Sequence, residues 1–260
     1  MKAAHLSLLL LMQIASTVIA GTPAAQVVNE GGVRFLQAVE KKSKGNICLS
    51  PYSIQSALAM TFAGSDGSTR SQMAAALGFS QTPVDLAADF QKLEADLVAS
   101  VQVSGTDSTL RVANRLFGAM GFSFRPGFLD LLEQAFSAPL EQLDFKKNPP
   151  LAAEMINRWV EKQTENRIQN LIPANALTKD TTLVLVNALY LKMPWAEEFP
   201  AGATKPLPFS VAGREKVNVA TMSRTGSLGY RQSEGFTAVG IPFRGGQFQL
   251  LILLPDKSAA

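Results

Sequence analysis

Thr182-Leu-Val-Leu-Val-Asn-Ala-Leu-Tyr-Leu-Lys-Met-Pro-Trp195 is the most strand-like run in this chain of 260 residues. Nearly every position over 183–191 is apolar. A sheet wet on one face would alternate, so this run predicts a central strand covered on both faces. One amide, Asn187, stands in its middle. A second stretch, Asn46-Ile-Cys-Leu-Ser-Pro-Tyr-Ser-Ile-Gln-Ser-Ala-Leu-Ala-Met60, reads as a short strand over 46–49 that breaks at Ser50-Pro51 into an apolar helix. Proline at a first helical position removes no intrahelical hydrogen bond. Ile54, Leu58 and Phe62 follow at helical spacing as the expected buried face. Two hydroxyls, Ser50 and Ser53, lie at the start of that helix.

Outward from these stretches, 23–29 reads as a loose segment, followed by a helix through Val33, Phe35, Leu36 and Val39 that stops at Gly45. Helices are expected from Thr69 to a stop at Gly78, over 85–101, over 126–136 and over 152–171. In the second of these, Leu86, Phe90, Leu93 and Leu97 face inward. Asp89, Glu94 and Asp96 face solvent with Lys92. In the last, Ile156, Trp159, Val160 and Ile168 face inward. Strands are expected over 109–120, containing Asn114, and over 140–145. A hairpin over 209–219 turns at Gly213, and a meander from Tyr230 to Leu254 passes through Arg244-Gly-Gly246. Helices dominate the first half and strands the second, with no repeat or linker between them. That order points to one α+β domain.

Composition narrows the function. Apolar residues make up 47% and the formal charge is +3, enough for a folded core and too little for a polyanion stripe. Lys41, Lys42 and Lys44, and Lys146 with Lys147, are short clusters, so no nucleic-acid partner is expected. Residues 1–20 read as a secretory signal: Lys2 starts it, 6–15 are strongly apolar, and Val18-Ile-Ala20 offers small residues for cleavage after Ala20. The run is short for a bilayer span and Gln13 interrupts it. The expected product is secreted, extracellular or periplasmic, with no membrane association after cleavage. Cys48 is the single cysteine, so no intramolecular disulfide forms, and its apolar neighbours suggest a buried, inert thiol. The single histidine, His5, lies in the leader. Ser-His-Asp and Cys-His catalysis and histidine zinc sites are thereby excluded from the remainder. No catalytic residue, metal site or cofactor is assigned. Gly64-Ser-Asp-Gly67 and Gly118-Ala-Met-Gly121 are turns without the Lys-Ser/Thr of a phosphate loop. Glu197 with Glu198, and Asp85 with Asp89, read as solvated carboxylates.

A buried amide without a partner costs about 1–3 kcal/mol, so Asn187 must be hydrogen-bonded. On physical grounds Ser50 caps its helix, and Asn187 satisfies a bulge or a neighbouring loop. A family resemblance offers a second account. Asn46, Ser50, Pro51, Ser53, Ile54, Ala57, Leu58, Met60, Gly64, Gly67, Thr69, Met73 and Leu77 resemble the entry block of the serpins. Ala113-Asn-Arg-Leu-Phe117, Ile156-Asn-Arg-Trp-Val160 with Thr164 and Ile168, and Leu185-Val-Asn-Ala-Leu-Tyr190 with Trp195, Phe199, Thr204 and Phe209 resemble later blocks in the same order. Ile252-Leu-Leu-Pro255 is similar to a strand of the family's second sheet.

The resemblance covers residues 28–260 and implies helices packed on a large mixed sheet plus smaller antiparallel sheets, incomplete at the C-terminus. It implies a non-enzymatic inhibitor of serine or cysteine proteases. In that family a cleaved reactive loop inserts into the large sheet as an extra strand and traps the protease. By resemblance Ser50, Ser53 and Asn187 are shutter residues beneath the opening strands, and Trp195 marks the breach where insertion begins. Leu191 and Met193 depart from the aromatic and glycine usual before that tryptophan. The acidic face of helix 85–101 argues against a heparin site. No reactive centre falls within these 260 residues, so the resemblance implies an incompetent trap with open strand positions that self-associates. The alternatives are a non-inhibitory serpin-like binding or storage protein, a short scaffold protein, and a carboxylate-dependent secreted enzyme.

Overall fold

The structure is a computed structural model that describes residues 22–43, 45–211 and 215–256. Its helices are α1 (Pro23–Glu40), α2 (Pro51–Ala63), α3 (Gly67–Leu77), α4 (Pro83–Gln102), α5 (Pro126–Phe136) and α6 (Pro149–Gln163). All but α3 begin at a proline, whose missing N–H would have had no intrahelical partner there. Thr22, Ser50, Thr82 and Asn148 stand before four of those prolines, and each side chain accepts a backbone N–H of the first turn.

Three strands form a mixed sheet: β1 (Thr109–Ala119), β2 (Leu140–Leu143) and β3 (Leu183–Lys192), in the order β2-β1-β3. β1 runs parallel to β2 and antiparallel to β3, with Thr109 opposite Lys192 and Gly118 opposite Leu183. β4 (Lys205–Val211) and β5 (Glu215–Thr221) form a hairpin, and β6 (Gly229–Ser233), β7 (Phe236–Pro242) and β8 (Gln249–Pro255) an antiparallel meander. This is the expected α+β arrangement.

The mixed sheet divides two cores. Leu110, Val112 and Leu116 of β1 and Leu183, Leu185, Leu189 and Leu191 of β3 face α1, α2, α4 and α5, meeting Met60, Phe62, Leu86, Phe90, Leu132 and Phe136. Alternate residues Ala113, Phe117, Val186 and Ala188 face α6, where Ile156 and Val160 are fully buried. The near-continuous apolar run of β3 thus reflects cover on both faces. Among the described residues β3 is an edge strand, and most of its side chains are only half-buried.

Other expectations are corrected. Residues 23–29 are the first turns of α1, with Ala24 and Ala25 buried and Thr22 as its cap. Residues 46–49 form no strand, because no described segment pairs with them, and Cys48 is exposed instead of buried. Helix α3 begins at Gly67, capped by Asp66, two residues before Thr69. Helix α6 ends at Gln163, eight residues early: Glu165 and Asn166 turn left-handed at φ 50° and 57°, and the Thr164 hydroxyl donates to the Val160 carbonyl at 2.9 Å. Of Ile54, Leu58 and Phe62 only Phe62 is fully buried, because α2 turns Tyr52, Gln55, Ser56, Ala59 and Met60 inward as well. Gln55 shapes this packing. Its amide donates to the Val27 carbonyl at 3.0 Å, and a Cβ at Gly31 would lie 1.7 Å from it. The leader and the turn at Gly213 lie outside the described residues.

Candidate functional site

Asn187 and Asn114 face each other across β3 and β1, on the side that packs against the α2 core. The Asn187 Nδ2 donates to Asn114 Oδ1 at 2.6 Å, and Asn114 Nδ2 donates to the carbonyl of Phe136, the last residue of α5, at 2.8 Å. A polar relay therefore runs from the edge strand through its neighbour to a helix C-terminus. A helix end has carbonyls without intrahelical partners, so the amide meets a real need there. The relay is incomplete at its outer end. Asn187 Oδ1 is buried without a hydrogen-bond partner among the described residues. An acceptor in that state is costly and fits an incoming donor.

Ser50 and Ser53 sit at the start of α2, which packs on β3. The Ser53 N–H donates to Ser50 Oγ at 3.3 Å, and the Ser50 hydroxyl donates to Ser53 Oγ at 2.8 Å. The two serines are joined to each other, and Asn187 is joined to Asn114. No direct hydrogen bond connects the two pairs among the described residues. Asn114 was visible in sequence only as a polar residue in a strand. Its signal was a second amide within a second apolar strand, which pairing places opposite Asn187.

Trp195 lies just beyond β3. Its indole stacks on Phe243 at 4.6 Å and 9°, and meets Phe199 edge-on at 5.7 Å. Backbone bonds from Ala196 to Pro242 (3.0 Å) and from Arg244 to Pro194 (2.9 Å) tie the exit of β3 to the β7–β8 connection. Beyond Phe199, the Arg224 guanidinium lies 5.4 Å from the ring and pairs with Glu197. Its side chain is only 5% exposed, so this cation is held inside the aromatic ladder. On the opposite face, Arg115 binds Glu141 at 2.6 Å and lies 5.2 Å from the Trp159 ring, and Trp159 meets Phe117 edge-on. This clamps α6 to β1. Elsewhere α2 and α4 share one buried polar contact, the Tyr52 hydroxyl donating to Glu94 at 3.1 Å. Glu94, expected in solvent, is half-buried, and that burial raises its pKa against the lowering effect of the bond. Burial pushes the Tyr52 phenol up as well, followed by the nearby Glu94 charge and its bond.

A half-buried edge strand, amides paired across the sheet and a tryptophan stacked at the strand's exit form one assembly. Residues 26–260 match the family described as Serpin (serine protease inhibitor). The chain belongs to the serpin family. The bovine leukocyte elastase inhibitor is 39% identical over 224 residues, which is 85% of this chain and 58% of the relative. A structure described as cleaved Serpin 42Da superimposes with a TM-score of 0.82 at 31% identity, covering 91% of this chain and 62% of that one. The native, stressed Arabidopsis serpin gives 0.81 at 27%, covering 94% and 63%. The chain thus spans somewhat under two thirds of each of these three proteins.

Proposed function

We propose that this serpin serves the inhibition of a serine protease by insertion of a reactive loop beside β3. The observation that carries the reading is the relay from Asn187 of β3 through Asn114 to Phe136, whose outer acceptor, Asn187 Oδ1, is buried with no partner among the described residues. A strand added there gains a row of backbone hydrogen bonds, and a donor brought with it satisfies the amide. In this reading Ser50, Ser53 and Asn187 form the shutter, with Asn114 as the anchor of Asn187. Trp195 forms the breach, locked to the meander through Phe243. Several relatives are named as elastase inhibitors, which supports a serine protease as the partner. The chain has no catalytic step of its own in this mechanism. The protease supplies the nucleophile and the serpin supplies strain.

The 260 residues by themselves are expected to form no denaturation-resistant complex with elastase-like, chymotrypsin-like or trypsin-like proteases. Joined to the C-terminal portion of the bovine relative, they are expected to form one, visible as a covalent band on a denaturing gel. A band from the 260 residues alone, or none from the joined protein, overturns the reading. We also propose export with cleavage after Ala20, supported by the apolar leader. Intact mass of secreted material should begin at Gly21, and retention of Met1 counts against export.

A further inference from the structure

The α6 face of the β1–β3 pair carries a second polar assembly at the end where Thr109 meets Lys192. Arg111 and Tyr190 are cross-strand partners there, and the guanidinium carbon lies 6.0 Å from the phenol ring centroid. The C-terminal turn of α6 closes the other side. Arg111 Nη1 donates to the Gln163 carbonyl at 3.0 Å and to Glu165 Oε1 at 3.2 Å. Glu165 is left-handed at φ 50°, a conformation that a residue with a Cβ rarely adopts. Arg167 follows two residues later. Together Thr109, Arg111, Glu165, Arg167, Tyr190 and Lys192 line an open cavity of about 410 Å³.

The charges do not balance. Three cations face the cavity against one carboxylate. Arg111 uses one nitrogen for both of its acceptors. Among the described residues, neither Arg167 nor Lys192 is in an ion pair. Like charges gathered on one wall repel each other, and a strained backbone that holds one carboxylate at their centre is the kind of outlier found at ligand sites. A carboxylate has two oxygens and serves one guanidinium well. Three cations are served by an anion with more acceptors.

We propose that this notch binds a tetrahedral oxyanion, phosphate or sulfate, with Arg111, Arg167 and Lys192 as its donors and Glu165 as a tethered competitor. The ligand displaces the Glu165 carboxylate from Arg111. Arg111 keeps its bond to the Gln163 carbonyl, so the site stays attached to the end of α6 and to both strands. The proposal rests on the notch alone and is independent of protease inhibition.

The test is calorimetric titration of the 260-residue chain with inorganic phosphate, inorganic sulfate, acetate and chloride at constant ionic strength. Saturable one-to-one binding is expected for phosphate or sulfate, and the comparison of those two arms identifies the preferred anion. Arg167→Gln and Lys192→Gln are each expected to weaken binding about two- to five-fold. Glu165→Gln keeps the backbone constraint while removing the charge, and is expected to tighten binding by about the same factor. All three side chains are exposed, so the variants keep the fold, which circular dichroism checks. Equal binding of acetate, affinity unchanged across the three variants, or a Glu165→Gln variant that binds more weakly each overturns the proposal.

Discussion

Asn187 illustrates how one amide in an apolar strand carries information that its neighbours do not. Half-buried between apolar neighbours, it needs a partner, and the partner is another amide, Asn114, whose own donor ends on Phe136. Removing either side chain takes away the other's partner, leaving Asn114 Oδ1 or Asn187 Nδ2 without its hydrogen bond. Asn114→Ala and Asn187→Ala are each expected to cost about 1–3 kcal/mol in urea denaturation. Their double variant should cost clearly less than the sum, because the second deletion removes a group already orphaned. Strict additivity shows that the two amides do not act as a pair. Ser56 is the opposite case. It is fully buried in α2 and its hydroxyl has no partner among the described residues. Ser56→Ala keeps the volume nearly unchanged and removes a stranded polar group, so it is expected to stabilise by about 1 kcal/mol. A loss of stability in the same assay would mean that the hydroxyl is satisfied. Sequence alone exposed Asn187 but not Ser56, since a serine in an apolar helix is equally at home facing out.

Pairs of elements are held by contacts of different kinds, and pH separates them. Helices α2 and α4 meet through aliphatic and aromatic packing plus the Tyr52–Glu94 bond. The pKa of Glu94 is raised in the fold by burial, so the folded protein holds its proton more tightly than the unfolded chain does. Its contribution is therefore fully present below the unfolded value of about 4.3 and is lost as pH rises through the higher folded value. Glu94→Gln keeps an acceptor for Tyr52 without the buried charge. Its melting temperature should exceed the parent's by roughly 1–3 °C at pH 7, with the difference closing towards pH 4. An advantage that is the same at both pH values removes Glu94 as the titrating group. The sequence showed α4 as an amphipathic helix and placed its inward leucines correctly, but put Glu94 outside. Periodicity assigns a position to a face, and Glu94 sits at the border of two faces, where the reach of Tyr52 from another helix decides. The end of α6 was hidden for a similar reason. Nothing in Glu165 or Asn166 announces a left-handed turn, and the bonds that hold it come from Thr164 and from Arg111, 54 residues away.

Across the whole molecule, the legible part was the order of elements and the double cover of β3. Both follow from local patterns of apolar residues. The register that sets Asn187 opposite Asn114 was not legible, because it depends on which segments pair and how far each slides along the other. The described residues leave β3 with one open edge of ten residues, flanked by apolar faces. They also leave the β4–β5 hairpin exposed, with Leu207, Phe209, Val211 and Val219 between 38% and 46% accessible. Both surfaces invite self-association, but by different physics. The edge offers unsatisfied backbone donors and acceptors and templates another strand. The hairpin adds exposed apolar side chains, and its own outer edges are only seven residues long, with Pro206 and Pro208 removing two donors from β4. Backbone pairing is directional and costly to leave unmade, and the ten-residue, proline-free edge of β3 offers the longest row of it, so β3 should dominate. The 260-residue chain is expected to sediment as oligomers. Leu207→Glu with Phe209→Glu should leave the oligomers largely intact, whereas joining the C-terminal portion of a serpin relative should return a monomer. Monomers from the glutamate variant would place the contact on the hairpin and separate self-association from the strand position on which loop insertion depends.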